Sequence, residues 1–378
     1  MTPATLAMRI KEAGRRLGFD RVAVGSAAPP EHVAAFDRWL DAGHAGTMSY
    51  LERGREKRAD PARVLPGARS VVACALGYYQ GREADGPPGV ARYAWGDDYH
   101  DVIEPRLRSL CDLIASLAPG AESRAYVDTG PLLERDLAGR AGLGWVGKNT
   151  MLLHPDLGSF FFIGLVLTTA ELEADASLPD RCGSCTRCLD ACPTGAFLGP
   201  HVLDARRCIA YLTIEHRGPI SAELRSGVGG WMFGCDDCQS VCPWNGRAPV
   251  TTEPAFGPRR HASALELLDL GETEYRETFR GSPLKRARRE GLARNAAIAL
   301  GNDGTLADVP ALVRALGHAE AAVRGHAAWA LGRLGGDRAR AALLAARAGE
   351  ADVGAAAEME RALAELSVME APEGRTHP

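Results

Sequence analysis

Eight of the ten cysteines stand in a pattern suited to iron–sulfur ligation. Cys182, Cys185, Cys188 and Cys192 are spaced C-x2-C-x2-C-x3-C, and Pro193 follows. In such a run three thiolates two residues apart wrap a loop around one face of a 4Fe–4S cubane, and the fourth ligates a second cluster. A second run, Cys235-x2-Cys238-x3-Cys242-Pro243, lacks its first ligand, and Cys208 upstream can supply it. The spacing predicts one cluster on Cys182, Cys185, Cys188 and Cys242, and another on Cys192, Cys208, Cys235 and Cys238. Structural zinc sites use C-x2-C pairs without these C-x3-C-P endings. Cys74 and Cys111 lie in apolar stretches and read as small buried hydrophobes.

A glycine-rich segment is the second feature with chemical potential. Gly142, Gly144 and Gly147 fit G-x-G-x-x-G, and Lys148 follows. A dinucleotide fingerprint needs a preceding strand, whereas Leu132–Arg140 reads as helical. A P-loop needs Ser or Thr after the lysine, and Asn149 stands there. The remaining reading is a backbone-rich loop against a large flat ligand, which glycines allow to approach closely.

The elements that must position these groups fall into three parts. With 378 residues, 46% of them hydrophobic, the chain has room for two or three domains. Its net charge of −4 lacks the global basic footprint of a nucleic-acid binder. The longest apolar run, Phe160–Leu167, is too short to span a membrane. The N-terminus lacks the basic start and apolar stretch of a signal peptide, so a cytoplasmic, reducing location is expected, where clustered thiols serve metals rather than disulfides.

Residues 1–175 read as α/β. Leu6–Leu17 and Ile103–Leu117 have helical period, Ser70–Tyr79 and Phe160–Thr169 are β-rich, and Arg124–Val127 is a short strand stopped by the turn residues Asp128–Pro131. Residues 176–250 carry the cysteines as a ferredoxin-like double-cluster part, and 251–284 read as a linker. Residues 285–378 are rich in Ala, Leu and Arg. There Ala297–Gly301 recurs as Ala328–Gly332, 31 residues on, and Ala356–Leu366 adds a third helical stretch. That period predicts a HEAT-like helical repeat.

Together these stretches resemble the epoxyqueuosine reductase (QueG) family, the cobalamin-dependent last enzyme of queuosine synthesis in tRNA. The resemblance lies in Glu56-Lys57-Arg58 with Pro61, Trp95–His100, Val127–Gly130, Arg140–Trp145, Gly147-Lys148-Asn149, Gly158-Ser159, Cys182–Cys188, Ala191–Ala196 and Phe233–Gln239. It runs from the first helix into the repeat. It implies an N-terminal cobalamin-binding α/β domain similar to that of reductive dehalogenases, a ferredoxin-like domain with two 4Fe–4S clusters, and a HEAT-like tail that helps hold tRNA. Asp98-Tyr99-His100 begins like the D-x-H-x-x-G signature that lends histidine to cobalt, but Ile103 stands where glycine is needed. The resemblance therefore implies a corrin held without a protein histidine on cobalt.

It further implies that epoxyqueuosine at the tRNA wobble position is reduced to queuosine by cob(I)alamin fed from the clusters. That reaction takes two electrons and two protons and releases water. Asp128 is implied as proton donor, since an opening epoxide needs a proton on its oxygen and a carboxylic acid can give it. Tyr99 and His100 are implied as polar lining beside it. Corrin contacts are implied at Arg58, Ala91, Asp128, Gly147, Lys148, Asn149, Met151, Ser159 and Asp236. Lys285, Arg286, Arg288, Arg289, Arg294, Arg324 and Arg333 offer a local basic face for tRNA phosphates. An external low-potential electron donor, no membrane and a monomer complete the expectation. A dehalogenase-like enzyme acting on a small molecule is the competing reading, and a plain electron-carrying ferredoxin another. The second leaves the first 175 residues without a task.

Overall fold

The computed structural model describes residues 1–81 and 86–369. The end of the expected tail, residues 370–378, lies outside them.

The two most apolar strands sit at the centre of a four-stranded antiparallel sheet. Its order is Arg21–Ser26, Ser70–Gly77, Phe161–Thr168, Ser123–Tyr126. Successive strand residues point to opposite faces, and here both faces are covered. Val72, Cys74, Leu76 and Val166 pack under helices Pro3–Arg16 and Tyr99–Leu117. Val71, Ala73, Ala75, Leu165 and Leu167 pack on the other side against Leu137, Ala138 and Ala141. Full coverage explains why Ser70–Gly77 reads as an unbroken apolar run rather than an alternating one. Gly164 has a specific reason to lack a side chain. A Cβ there would stand 2.9 Å from Leu107, so glycine lets the Tyr99–Leu117 helix press onto the sheet.

This packing fixes two chain ends side by side. The first turn of the Tyr99–Leu117 helix, capped by the Asp98 side chain, lies beside the loop that leaves Ser123–Tyr126. A bound N-cap satisfies one of the orphan N–H groups of a helix start and sets its orientation.

The cysteine-bearing part has little regular structure. Short helices Arg187–Asp190 and Asp237–Ser240 follow the two C-x2-C turns and pack together. A small hairpin, Phe197–Gly199 with Val202–Leu203, precedes helix Ile209–Ile214. This part does not have a core of its own. Leu212, Leu224, Val228 and Phe233 share one apolar cluster with the tail residues Leu292, Ala296 and Ala327. The buried Arg225 grips Glu358 with two bonds of 2.5 and 2.8 Å, tying helix Ala222–Val228 to helix Val353–Met369.

The tail stacks helices Arg288–Asp303, Val309–Ala315, Ala321–Leu334, Asp337–Gly349 and Val353–Met369. The sequence echo has a packing cause. A Cβ on Gly301 would meet the Trp329 ring at 2.5 Å, and one on Gly332 would meet Ala362 at 2.9 Å. Each repeated glycine is the point where one helix crosses closely over the next. The stretch 251–284, expected to be a linker, is instead folded. It forms helices Ala264–Asp269 and Glu272–Thr278, and Leu267 and Leu268 enter the tail's core as its first layer. Ser263 and Glu266 form the capping box that starts the first of these helices. No helix among the described residues is long and apolar enough to cross a membrane.

Candidate active site

Asp128 adopts φ +52°, a left-handed conformation that Asp tolerates better than most residues. This turns its carboxylate back toward the start of the neighbouring helix. One carboxylate oxygen accepts from the Tyr99 hydroxyl, and the other pairs with His100 Nε2 at 2.8 Å. The Asp128 side chain stays 52% exposed, so it faces an opening rather than the core. Tyr99 is stacked on Phe162 with centroids 4.3 Å apart, which fixes the hydroxyl. Burial and the adjacent Asp128 carboxylate push the Tyr99 phenol well above its usual range, so it acts here as a neutral donor.

His100 is held from both sides. Its Nδ1 lies 2.7 Å from Asp98 Oδ1, opposite the contact to Asp128. Burial alone would favour the neutral ring, but the bonds to Asp128 and Asp98 outweigh it and push the pKa up to about 10. Burial raises the acid of Asp98, but bonds from His100 and Lys285 overcome this and bring it down to about 2. The chain thus runs from carboxylate to imidazolium to carboxylate to Lys285, whose Nζ is 3.1 Å from Asp98.

One neighbour escaped the sequence reading. The Glu134 carboxyl accepts the backbone N–H of Asp128 at 2.9 Å and so supports its unusual turn. Burial, then the nearby Asp128 charge, push Glu134 up to about 8. The only signal was an acidic residue in the first turn of a helix, which ordinarily complements the helix dipole.

The remaining expected contacts gather along the seam between the sheet and the cysteine part, yet several are committed to protein partners. Lys148 donates to the carbonyls of Gly183 and Cys185 at 2.6 and 3.0 Å, pinning the first cysteine loop. Asn149 accepts from the Met151 N–H at 3.2 Å and reaches the Cys238 carbonyl. Ser159 is locked to Gln239 and Asn245. Asp236 accepts from the backbone and guanidinium of Arg92 at 2.9 and 3.0 Å. Ala91 donates its N–H to the Phe233 carbonyl, where the two parts join. At Gly147 a Cβ would stand 2.2 Å from the tip of Leu153, so a side chain there would have to push that leucine aside. Arg58 is buried beside Tyr50, whose carbonyl it meets at 3.4 Å. A cavity of about 550 Å³ lies elsewhere, between Pro87, Met232 and Leu300, and none of the triad lines it.

The thiols of the two cysteine loops influence one another electrostatically. Cys188 and Cys242 are raised first by burial and then by the other thiols of the set Cys182, Cys185, Cys188 and Cys242. Cys208, Cys235 and Cys238 are raised by burial and by partners that include Cys208, Cys238 and Cys192. Cys238 also faces Cys188, which joins the two sets. Gathering thiolates this closely is unfavourable unless cations hold them, and the iron of a cluster supplies that charge.

Residues 181–245 match the 4Fe-4S double cluster binding domain. Residues 58–129 match the family described as Epoxyqueuosine reductase QueG, DUF1730, and residues 283–364 match HEAT repeats. The epoxyqueuosine reductase of Pseudomonas aeruginosa is 43% identical over 345 residues, covering 88% of this chain and 96% of that protein. The chain belongs to the epoxyqueuosine reductase family. The Escherichia coli epoxyqueuosine reductase is 39% identical, covering 79% of this chain and 81% of that one. A crystal structure of an epoxyqueuosine reductase with an epoxyqueuosine-modified tRNA-Tyr stem loop superposes with a TM-score of 0.89. It has 33% identity and covers 97% of this chain and 100% of that one. The Bacillus subtilis enzyme, solved with its catalytic loop swung out of the active site, gives a TM-score of 0.88 at 33% identity, again over 97% and 100% of the two chains. The α/β part, the double-cluster part and the HEAT-like tail are thus those of the family, and the chain carries iron–sulfur clusters.

Proposed function

We infer that this chain reduces epoxyqueuosine to queuosine in tRNA, the last step of queuosine synthesis. The observation that carries the reading is the Asp128–Tyr99–His100 constellation, open to one side and set beside a double-cluster domain. Net reduction of an epoxide to an alkene consumes two electrons and two protons and releases one water. Clusters deliver electrons singly, so a centre that pairs them is required.

Cobalamin supplies that centre when bound. The site suits a corrin that takes no histidine, because both nitrogens of His100 are engaged by carboxylates and offer no lone pair to cobalt. Ala91, Gly147 and Met151 would border a flat macrocycle, with Arg58, Asn149, Ser159 and Asp236 in the layer around it. Lys148 serves from behind, holding the loop of the first cluster. Asp128 gives a proton to the epoxide oxygen as the carbon–oxygen bond opens, and Tyr99 keeps the carboxyl turned toward the opening. Cys182, Cys185, Cys188 and Cys242 hold one cluster, and Cys192, Cys208, Cys235 and Cys238 the other. An external low-potential donor recharges them. We place the enzyme in the cytoplasm, as a monomer, where tRNA is found and thiols stay reduced.

The test is anaerobic reconstitution with iron, sulfide and cobalamin, then mass spectrometry of an epoxyqueuosine-bearing stem loop after single turnover. Loss of one oxygen atom from the base is expected. Asp128→Asn should slow it by about 10²-fold or more, the scale of general acid catalysis, with stem-loop affinity unchanged. An intact protein that retains its clusters and a corrin yet leaves the base unchanged would refute the assignment.

A further inference from the structure

The reaction needs two protons, and Asp128 passes them on from a carboxylate whose oxygens accept from Tyr99 and pair with His100. Among the described residues that touch this carboxylate, His100 is the one that bears a readily transferred proton, since Tyr99 is a phenol held far from ionisation. Behind His100 stands an arrangement that the residues at the opening do not explain. Asp98 is buried, caps the helix through the His100 N–H and meets His100 Nδ1. It is also docked onto the tail. Its own N–H donates to the Gly281 carbonyl at 2.8 Å, and Lys285 reaches its second oxygen. Lys285 opens the basic run leading into the repeat, and its side chain is 56% exposed while its amine is on Asp98.

We propose that Asp98 and Lys285 are positioning residues that govern the supply of protons to Asp128 through His100. This rests on the reading of the site as an epoxyqueuosine reductase. As Asp128 protonates the opening oxygen, the His100 Nε2–H passes to the Asp128 carboxylate, leaving a neutral ring whose Nδ1–H stays on Asp98. Solvent restores the imidazolium, and the relay runs a second time, its proton going through Asp128 to the hydroxyl that leaves as water. The negative charge of Asp98 draws the proton onto His100, and the positive charge of Lys285 moderates that pull. The charged and titratable groups facing His100 are Asp98, Tyr99, Asp128 with Glu134 behind it, and, across Asp98, Lys285 of the tail.

Two substitutions act on this chain in opposite directions. Asp98→Asn keeps a helix cap of equal quality and an acceptor for Nδ1–H, but removes the charge. Lys285→Met keeps the stem and removes the positive charge. In single-turnover pH profiles of the reconstituted enzyme, the alkaline limb should move down by about 1 unit in Asp98→Asn, the scale of losing one adjacent charge. It should move up by a smaller amount in Lys285→Met. Iron content and melting temperature check that both variants fold. A readout free of substrate comes from ¹⁵N-histidine NMR of the same proteins, with His100→Gln used to identify the resonance. The His100 titration should shift with the same opposed signs. If both variants shift it the same way, or neither shifts it, the proposal is overturned. If the NMR shifts stand while no variant nor the parent converts the RNA, the functional reading fails and the charge relay survives.

Discussion

Asp128 depends on a support that sequence spacing does not reveal. Its left-handed turn is held by the Glu134 carboxyl on its N–H, six residues ahead. Glu134 titrates near 8, so its charge appears beside the proton donor within the working range. The pH–rate profile should therefore inflect near pH 8, and Glu134→Gln, which keeps the acceptor and removes the titration, should abolish that inflection. The linked stability has a definite sign. The folded form holds this proton to higher pH than the unfolded chain, whose glutamate ionises near 4.5. The contribution is complete below that value and is lost as pH rises through about 8. The cysteine pattern was legible from its own spacing, and Asp128, Tyr99 and His100 were legible through the resemblance, since spacing alone marks Asp128 only as a turn residue. Glu134 and Lys148 were not, because each serves a backbone group brought near by folding: the amide of Asp128 in one case, the carbonyls of Gly183 and Cys185 in the other.

The elements show the same division between local pattern and tertiary use. Both central strands were readable from their β-branched and aromatic runs, and the helix expected over 103–117 starts earlier, at Tyr99, where the Asp98 side chain caps it. The helices at 264–269 and 272–278 were hidden by the prolines and charges around them. The first covers the tail through Leu267 and Leu268, and the second rests only the half-buried Tyr275 on it. The repeated glycines were visible as an echo, but their cause is contact. Gly332→Val should place a side chain against the Ala362 backbone, 2.9 Å from the first added carbon. Overpacking of this kind costs about 1–3 kcal/mol, so the melting temperature should fall. Gly349, at the end of helix Asp337–Gly349, meets nothing within 4 Å of a Cβ. Gly349→Ala should leave the melting temperature unchanged or raise it slightly, since alanine gains helix propensity of about 0.5–1 kcal/mol. Calorimetry of the two variants beside the parent separates close crossing from mere sequence repetition.

At the scale of the whole molecule, the thiols and the cations both bridge parts distant in sequence. In the proposed ligand set Cys208 joins Cys192, 16 residues before it, to Cys235, 27 residues after it, so Cys208→Ser should lose about half of the roughly eight irons that two cubanes hold, whereas Cys111→Ser should lose none. Iron assay of anaerobically reconstituted protein decides this. The basic face for tRNA is narrower than the sequence suggested. Arg294 is 2% exposed and donates to the carbonyls of Leu212, His216 and Gly218, so it is a structural strut between tail and cluster part. Arg324 is paired with Glu350, Arg286 with Glu215, and Arg333 turns to the Gly301 carbonyl. Arg288, by contrast, is 65% exposed, and its ion pair among the described residues is a long contact of 3.9 Å to Glu290. Phosphate contacts release counterions, so log affinity should fall linearly with log salt, each contact adding about 0.7–0.9 to the slope. Arg288→Ala should lower that slope by about one contact's worth. Arg294→Ala should leave the slope unchanged and instead reduce stability, because it leaves the buried Leu212 carbonyl without this donor and removes the bonds to the His216 and Gly218 carbonyls. Equal slopes for Arg288→Ala and the parent would move the RNA path off this end of the repeat.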